Sequence, residues 1–313
     1  MSCTLLPAPL KAGDTLGIFY PAGPVKDLAA FEDGLTILRN LGFSLQQRLP
    51  DNSGPDYLAA SDESRIGELH RLWADDNIKA LIAARGGYGC LRIIEHLDFT
   101  FLRSRPKWLI GFSDLTVLLN GIYKQTGMIT LHGPVVTSLP RLDRASLDSF
   151  KNLISGVFAD DQQFPGLEIL RGGQGTGHLA GGNLTTLTHL IGTPWQPDFS
   201  GSILFLEDTA EPEYKLDRML THLSSCGALD NLAGLLLGFF DPGHDDTLET
   251  LRLNEHIWAR TLELTKSANY PVWGAFPVGH QTKNHALPLG MQATIDSSRA
   301  RLSFLHQACP PWE

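Results

Sequence analysis

Between Asp14 and Gly133 short apolar runs alternate with segments of helical period, and that alternation admits few folds. The stretch GDTLGIFYPAG predicts a strand near residues 14 to 20 that ends in a Pro-Ala-Gly turn, and DLAAFEDGLTILRNLGF predicts an amphipathic helix closed by Gly42. SDESRIGELHRLWADD reads as a helix capped by Ser61, KALIAA as a strand, RGGYG as a loop and CLRIIEHL as a helix. KWLIGFSDLTVLLN then runs from a buried strand into a helix, with Ser113 at the joint. A further strand in GMITLHGPVV and a helix in ASLDSFKNLISG follow. Strands alternating with helices argue for a parallel sheet covered on both faces, an α/β fold. Ligands in such sheets bind beyond the carboxyl ends of the strands, where Arg85-Gly86-Gly87 and Ser113 both fall.

The texture changes between about residue 157 and residue 175, in a stretch rich in Gly and polar residues. We therefore expect an N-terminal domain over 1–160, a linker over 161–174 and a smaller β/α domain over 175–313. In the second domain GHLAGGNLTTLTHLIG reads as a glycine turn into a helix, SGSILFLEDTAE as an apolar strand ending in acids, and YKLDRMLTHLSSCG as a helix. LAGLLLGFFD is a buried strand and TLETLRLNEHIWARTLELT a helix. Short strands in PVWGAFPVGH, QATIDS and ARLSFL finish the chain, the last two as a hairpin-like pair.

Composition removes several classes of function. A chain of 313 residues with 42% hydrophobic and 19% charged residues is that of an ordinary globular protein of two domains. No apolar run approaches the ~20 residues of a membrane span. The start, MSCTLLPAPLKAGD, lacks a basic segment before its apolar one, so cytoplasmic residence is expected. A net charge of −9 offers no footprint for phosphate backbones, and no nucleic-acid partner is expected. Cys3, Cys90, Cys226 and Cys309 form no CxxC pair and read as free thiols. The eleven histidines include no HExxH, and His280 and His285 stand five apart around Lys283, so no metal and no cofactor are expected.

Ser113 has two readings. Ser and Asp are favoured where helices begin, since their oxygens accept orphan backbone N–H groups, and Ser113 could be such a cap. It could equally be a nucleophile, which needs a base and an acid that orients the base. Glu207, at the end of the strand SILFL, and His280, after PVWGAFPVG, are candidates for those roles, each also readable as an ordinary strand-end residue.

In order along the chain, GDTLGIFYPAG, ARGGYG, GFSDLT, HGP, GGNLTTLTHLIGT, ILFLEDTAE with LDRMLTHL, and PVWGAFPVGHQTKNHALPLG resemble the successive motifs of the LD-carboxypeptidase family. The resemblance runs from about residue 12 to residue 296. It implies an α/β fold with a glutamine-amidotransferase-like, flavodoxin-like N-terminal parallel-sheet domain joined to a smaller swivelling C-terminal β/α domain. It also implies a cytoplasmic serine peptidase that removes the terminal D-alanine of murein tetrapeptide during peptidoglycan recycling, and a homodimer. The family's serine, glutamate and histidine fall on Ser113, Glu207 and His280.

On that reading His280 takes the Ser113 proton, Glu207 holds the imidazolium, and the backbone N–H groups of Asp114 and Gly87 stabilise the oxyanion. Arg85 and Lys283 are the cations that the motifs put near the chemistry, candidates to hold a terminal carboxylate. Leu115 stands where a G-x-S-x-G elbow would have its second glycine, which sets the chain apart from lipase-like hydrolases. The runner-up is the related microcin C self-immunity branch, which cleaves aminoacyl-nucleotide conjugates and tends to be longer between the serine and glutamate motifs. Trp195 could offer a base a stacking face there, though interior packing is its plainer role.

Overall fold

The computed structural model describes residues 4–50, 53–158, 162–164, 166–244 and 246–305. The described residues form two compact units, one built from residues 4–157 with His285–Leu289, the other from Phe158–Asn284 and residues 290–305.

The first unit contains strands β1 (Thr15–Phe19), β2 (Ser44–Gln47), β3 (Ile78–Ala83), β4 (Trp108–Gly111) and β5 (Thr130–His132). They pair in parallel in the order β5-β4-β3-β1-β2. Leu287–Leu289 adds an antiparallel strand on the outer edge of β5. Its central Pro288 suits an edge strand, where a missing N–H breaks no ladder. Helices α1 (Leu28–Asn40), α2 (Asp62–Ala74), α3 (Cys90–Ile93), α4 (Phe99–Ser104), α5 (Thr116–Thr126) and α6 (Arg144–Ile154) accompany the sheet. Asp27, Ser61, Asp98 and Asp143 each cap a helix by accepting a backbone N–H three residues on. The core lies between Leu16, Ile18, Leu81, Ile82, Leu109 and Ile110 of the strands and Leu35, Leu38, Leu69, Trp73 and Leu118 of the helices.

The second unit carries β6 (Gln162–Gln163), β7 (Glu168–Arg171), β8 (Gln174–Asn183), β9 (Ser202–Thr209), β10 (Gly234–Asp241) and β11 (Val272–Gly274). With Leu287–Leu289 counted as β12, β13 (Gln292–Asp296) and β14 (Arg301–Phe304) complete it. The sheet order is β6-β14-β13-β8-β9-β10-β11-β7, with a parallel centre from β8 to β11 and antiparallel strands on both sides. Helices α7 (Leu184–Thr188), α8 (Glu213–Ser225) and α9 (Thr247–Leu264) belong to this unit. Leu204, Leu206, Leu235, Leu236, Leu237 and Phe240 are fully buried, each contributing roughly 2 kcal/mol of hydrophobic stabilisation.

Several sequence expectations change here. The stretch 161–174 carries β6 and β7, strands of the second sheet, where a linker was expected. Residues 287–289, expected within the C-terminal domain, close an edge of the first sheet. The segment read as a glycine turn is the ten-residue strand β8, and its glycines have a packing cause: a Cβ on Gly181 (φ 133°) would lie 2.0 Å from the Phe205 carbonyl oxygen of β9. Cys90 and Cys226 are free thiols, while Cys3 and Cys309 lie outside the described residues. Among the described residues no helix is long and apolar enough to cross a membrane.

Candidate active site

In the first unit the buried strand β4 delivers the chain to Phe112 in extended conformation and then to Ser113 at φ 64°. A left-handed conformation costs a residue other than glycine roughly 1–2 kcal/mol, so packing on both sides must hold this corner. A 3-10 turn, Ser113–Leu115, leads into α5, which begins without a side-chain cap. The cap reading of Ser113 therefore fails: its strained corner has no part in capping α5.

The glycine loop after β3 packs on that corner. A Cβ on Gly86 would lie 2.9 Å from Ser113 Cβ and 3.0 Å from its Oγ, so only glycine fits beside the serine. The Gly86 carbonyl accepts the Gly23 N–H at 3.1 Å, and Gly87 (φ 122°) lies against Gly23 in turn. The buried Asp114 carboxylate accepts the Cys90 N–H at 2.8 Å and ties the loop's far end to the corner. Burial and Asp114 push the Cys90 thiol well above the ordinary range, so it is inert. Arg85 donates from Nη1 to the Pro24 carbonyl at 2.8 Å and acts as a brace for the loop.

In the second unit the structure brings Glu207 and His280 together, with Nδ1 of His280 2.7 Å from Glu207 Oε2. Glu207 is fully buried inside β9, opposite Asn183 of β8, and is no exposed strand end. The register of β10 against β9 shifts between Leu237 and Phe240, a bulge opposite Glu207. His280 does not follow a strand directly, since β11 stops at Gly274 and a loop carries the chain onward. That loop closes on the carboxylate: a Cβ on Gly279 (φ 123°) would lie 3.0 Å from both Cβ and Oε2 of Glu207. Asn284 Oδ1 accepts the Gly279 N–H at 3.1 Å and fixes the turn. Burial pulls the imidazolium pKa down, but the charge and hydrogen bond of Glu207, with Asp208 and Asp241 further off, outweigh it and raise it above the ordinary value.

Asp208, the other acid of the pair, is engaged elsewhere. It accepts from Asn183 Nδ2 at 3.0 Å, from the Thr185 N–H and hydroxyl at 2.8 Å each, and from the Thr209 N–H at 2.8 Å. Burial and then the Glu207 charge push it up to about 6, against the lowering effect of those bonds. Lys283 is exposed, and Trp195 is half-buried. Among the described residues no group of His, Cys, Asp and Glu could hold a metal ion.

The model of the LD-carboxypeptidase N-terminal domain matches residues 16–133, and that of the LD-carboxypeptidase C-terminal domain matches residues 176–295. The chain belongs to the LD-carboxypeptidase family. It is a serine-type peptidase. The murein tetrapeptide carboxypeptidase of Pseudomonas aeruginosa is 35% identical over 260 residues, covering 78% of this chain and 81% of its own. The solved muramoyltetrapeptide carboxypeptidase of Oxalobacter formigenes superposes with a TM-score of 0.77 at 29% identity, over 93% of this chain and 97% of that one. The structure of MccF in complex with glutamyl sulfamoyl guanosine superposes with a TM-score of 0.87 at 26% identity, over 97% and 99%.

Within this LD-carboxypeptidase, sequence reasoning put Gly86 near the ligand but not against Ser113, and missed the contact of Gly279 with Glu207, Asn284 and the buried Asp208 network. The adjacent glycines of ARGGYG and the glycine before His280 were the available signals, since glycine is needed where backbone meets a neighbouring side chain.

Proposed function

We propose that this LD-carboxypeptidase hydrolyses the L-D peptide bond before the terminal D-alanine of murein tetrapeptide, with Ser113 as nucleophile, His280 as base and Glu207 as its orienting acid. The observation that carries the triad is the 2.7 Å bond from His280 Nδ1 to a fully buried Glu207. With Nδ1 donating to the carboxylate, Nε2 is left as the proton acceptor. His280 takes the Ser113 proton as Oγ attacks the carbonyl carbon. The imidazolium then gives that proton to the leaving D-alanine amine, an acyl-enzyme remains, and water releases it by the same base.

The oxyanion is assigned to the backbone N–H groups of Asp114 and Gly87, each worth roughly 3 kcal/mol in the transition state. The exposed Lys283 is assigned to the terminal carboxylate, with Arg85, already held on Pro24, as the second cation. The 35% identity to the Pseudomonas aeruginosa murein tetrapeptide carboxypeptidase supports the substrate. Cytoplasmic peptidoglycan recycling by a homodimer belongs to the same proposal and rests on the family resemblance of the motifs alone. The TM-score of 0.87 to MccF favours a second reading, cleavage of an aminoacyl sulfamoyl nucleotide by the same residues.

Incubation with murein tetrapeptide, its C-terminal amide and an aminoacyl sulfamoyl nucleotide, with products read by mass spectrometry, separates the two. Free D-alanine should appear from the acid and not from the amide, and folded Ser113→Ala should release none. Nucleoside release without D-alanine would replace the first reading by the second. Equal cleavage of acid and amide would remove the carboxylate clamp.

A further inference from the structure

Tyr57 and Tyr88 of the first unit are large side chains left in the open, 55% and 52% exposed, with ring centroids 5.9 Å apart and ring planes tilted by 55°. The backbone beneath them is held. Tyr88 stands between Gly87 (φ 122°) and Gly89 (φ 134°), where only glycine is free of strain. A Cβ on Gly87 would lie 3.1 Å from the Gly23 backbone, and one on Gly89 would lie 2.7 Å from Leu58 Cδ2 and 2.8 Å from Arg65 Nη1, so the loop is pinned on both sides of Tyr88. Beside Tyr57, Leu58 is buried, and the Ala59 N–H donates to the Ala22 carbonyl at 2.9 Å. Exposed aromatic rings on a fixed backbone make a preformed contact surface.

The pair stands beside the nucleophile's corner. Gly86 packs on Ser113, and Tyr88 is two residues further on, at most ~7 Å along the backbone. A tetrapeptide held at Ser113 by its last bond runs back over three residues, roughly 10 Å when extended, so its amino end comes within reach of the rings. The surroundings select what sits there. Arg92 lies within electrostatic reach of both phenols and gives Nε and Nη2 to Asp62 at 2.9 and 2.8 Å, so the groups flanking the rings form a neutral pair. A flat nucleobase stacks best between parallel faces, which rings tilted by 55° do not offer. A pyranose suits the notch: its C–H face packs on a phenol ring, and its hydroxyl and acetamido groups bond phenol hydroxyls and Arg92 Nη1. Building on the murein tetrapeptide reading of the active site, we propose that Tyr57 and Tyr88 form a subsite for the amino sugar at the N-terminal end of that peptide, so that the enzyme prefers muramoyl tetrapeptide to the bare peptide.

Isothermal titration calorimetry of Ser113→Ala protein, which binds without cleaving, compares N-acetylmuramoyl tetrapeptide with the same tetrapeptide lacking the sugar. The sugar should tighten Kd about tenfold, and adding Tyr57→Ala or Tyr88→Ala should cut that ratio to about twofold, while Tyr88→Phe, which keeps the ring, should hold it at about fivefold or more. Each variant should melt within about 2 °C of its parent, since the altered atoms are exposed. A ratio of one in the Ser113→Ala parent, or a ratio that survives both alanine changes, would overturn the subsite. Affinity for an aminoacyl sulfamoyl nucleotide that falls about tenfold in the alanine variants, with the sugar ratio unmoved, would give the rings to a base and overturn it too. Release of D-alanine from both peptides by the native enzyme separates these failures from failure of the proposed function. Binding of neither peptide up to about 10 mM would overturn both.

Discussion

Glu207 and Asp208 are neighbours in sequence with opposite surroundings, because successive side chains of a strand point to opposite faces. Glu207 meets one imidazole, and Asp208 meets three donors of the β8–α7 corner and the Thr209 N–H of its own strand. Glu207→Gln should therefore leave the melting temperature near native while lowering kcat on the order of 10⁴-fold. Asp208→Asn should do the reverse, since an amide nitrogen would face donors, destabilising the second unit by roughly 2–4 kcal/mol by denaturant titration. The raised His280 pKa puts the acid limb of kcat/KM above the ordinary histidine range, because the base works only when deprotonated, and Glu207→Gln should move that limb down. The linked stability has a definite sign: a raised histidine stabilises the fold fully below its unfolded pKa, and the contribution is lost as pH rises through the folded value. A crippled Asp208→Asn enzyme beside a mildly affected Glu207→Gln would reassign the acid.

At the scale of elements, the parallel centre of the second sheet depends on strands that approach closely where glycines replace side chains. A Cβ on Gly181 would meet the Phe205 carbonyl oxygen at 2.0 Å, and one on Gly175 would meet the Ala233 carbonyl oxygen at 1.8 Å. Neither neighbour is a flexible side-chain end that could move aside. Gly181→Ala should thus force β8 from β9 and destabilise by about 4 kcal/mol or more, lowering the melting temperature by roughly 10 °C. Gly172→Ala, with nothing within 4 Å of the added carbon, should melt within about 2 °C of native. Equal melting of the two variants would show that the close approach is not what holds β8 on β9. The same feature hid β8 from sequence reading: a run of glycines has no alternating hydrophobicity, so it reads as a turn, although tertiary contacts make it a strand.

For the molecule as a whole, hydrolysis should be indifferent to chelation, because the proposed nucleophile is activated by an imidazole and the described residues offer no ligand cluster. Turnover lost in EDTA and restored by zinc would sink the serine mechanism. The alternation of apolar strands and amphipathic helices by itself determined β1, β3, β4 and β5, the helices α1, α2, α3, α5 and α6 and the corner at Ser113, because burial on both faces writes a continuous local signal. The half-exposed polar edge strand β2 and the short α4 carry no such signal and were not marked. The ordered motifs likewise marked Glu207 and His280. Only the tertiary structure decided that 162–171 supplies two strands, that Leu287–Leu289 returns to the first sheet, and that Glu207 rather than Asp208 faces His280. Those outcomes rest on pairing between segments far apart in the chain and on which face of a strand a residue takes, neither of which a local pattern records.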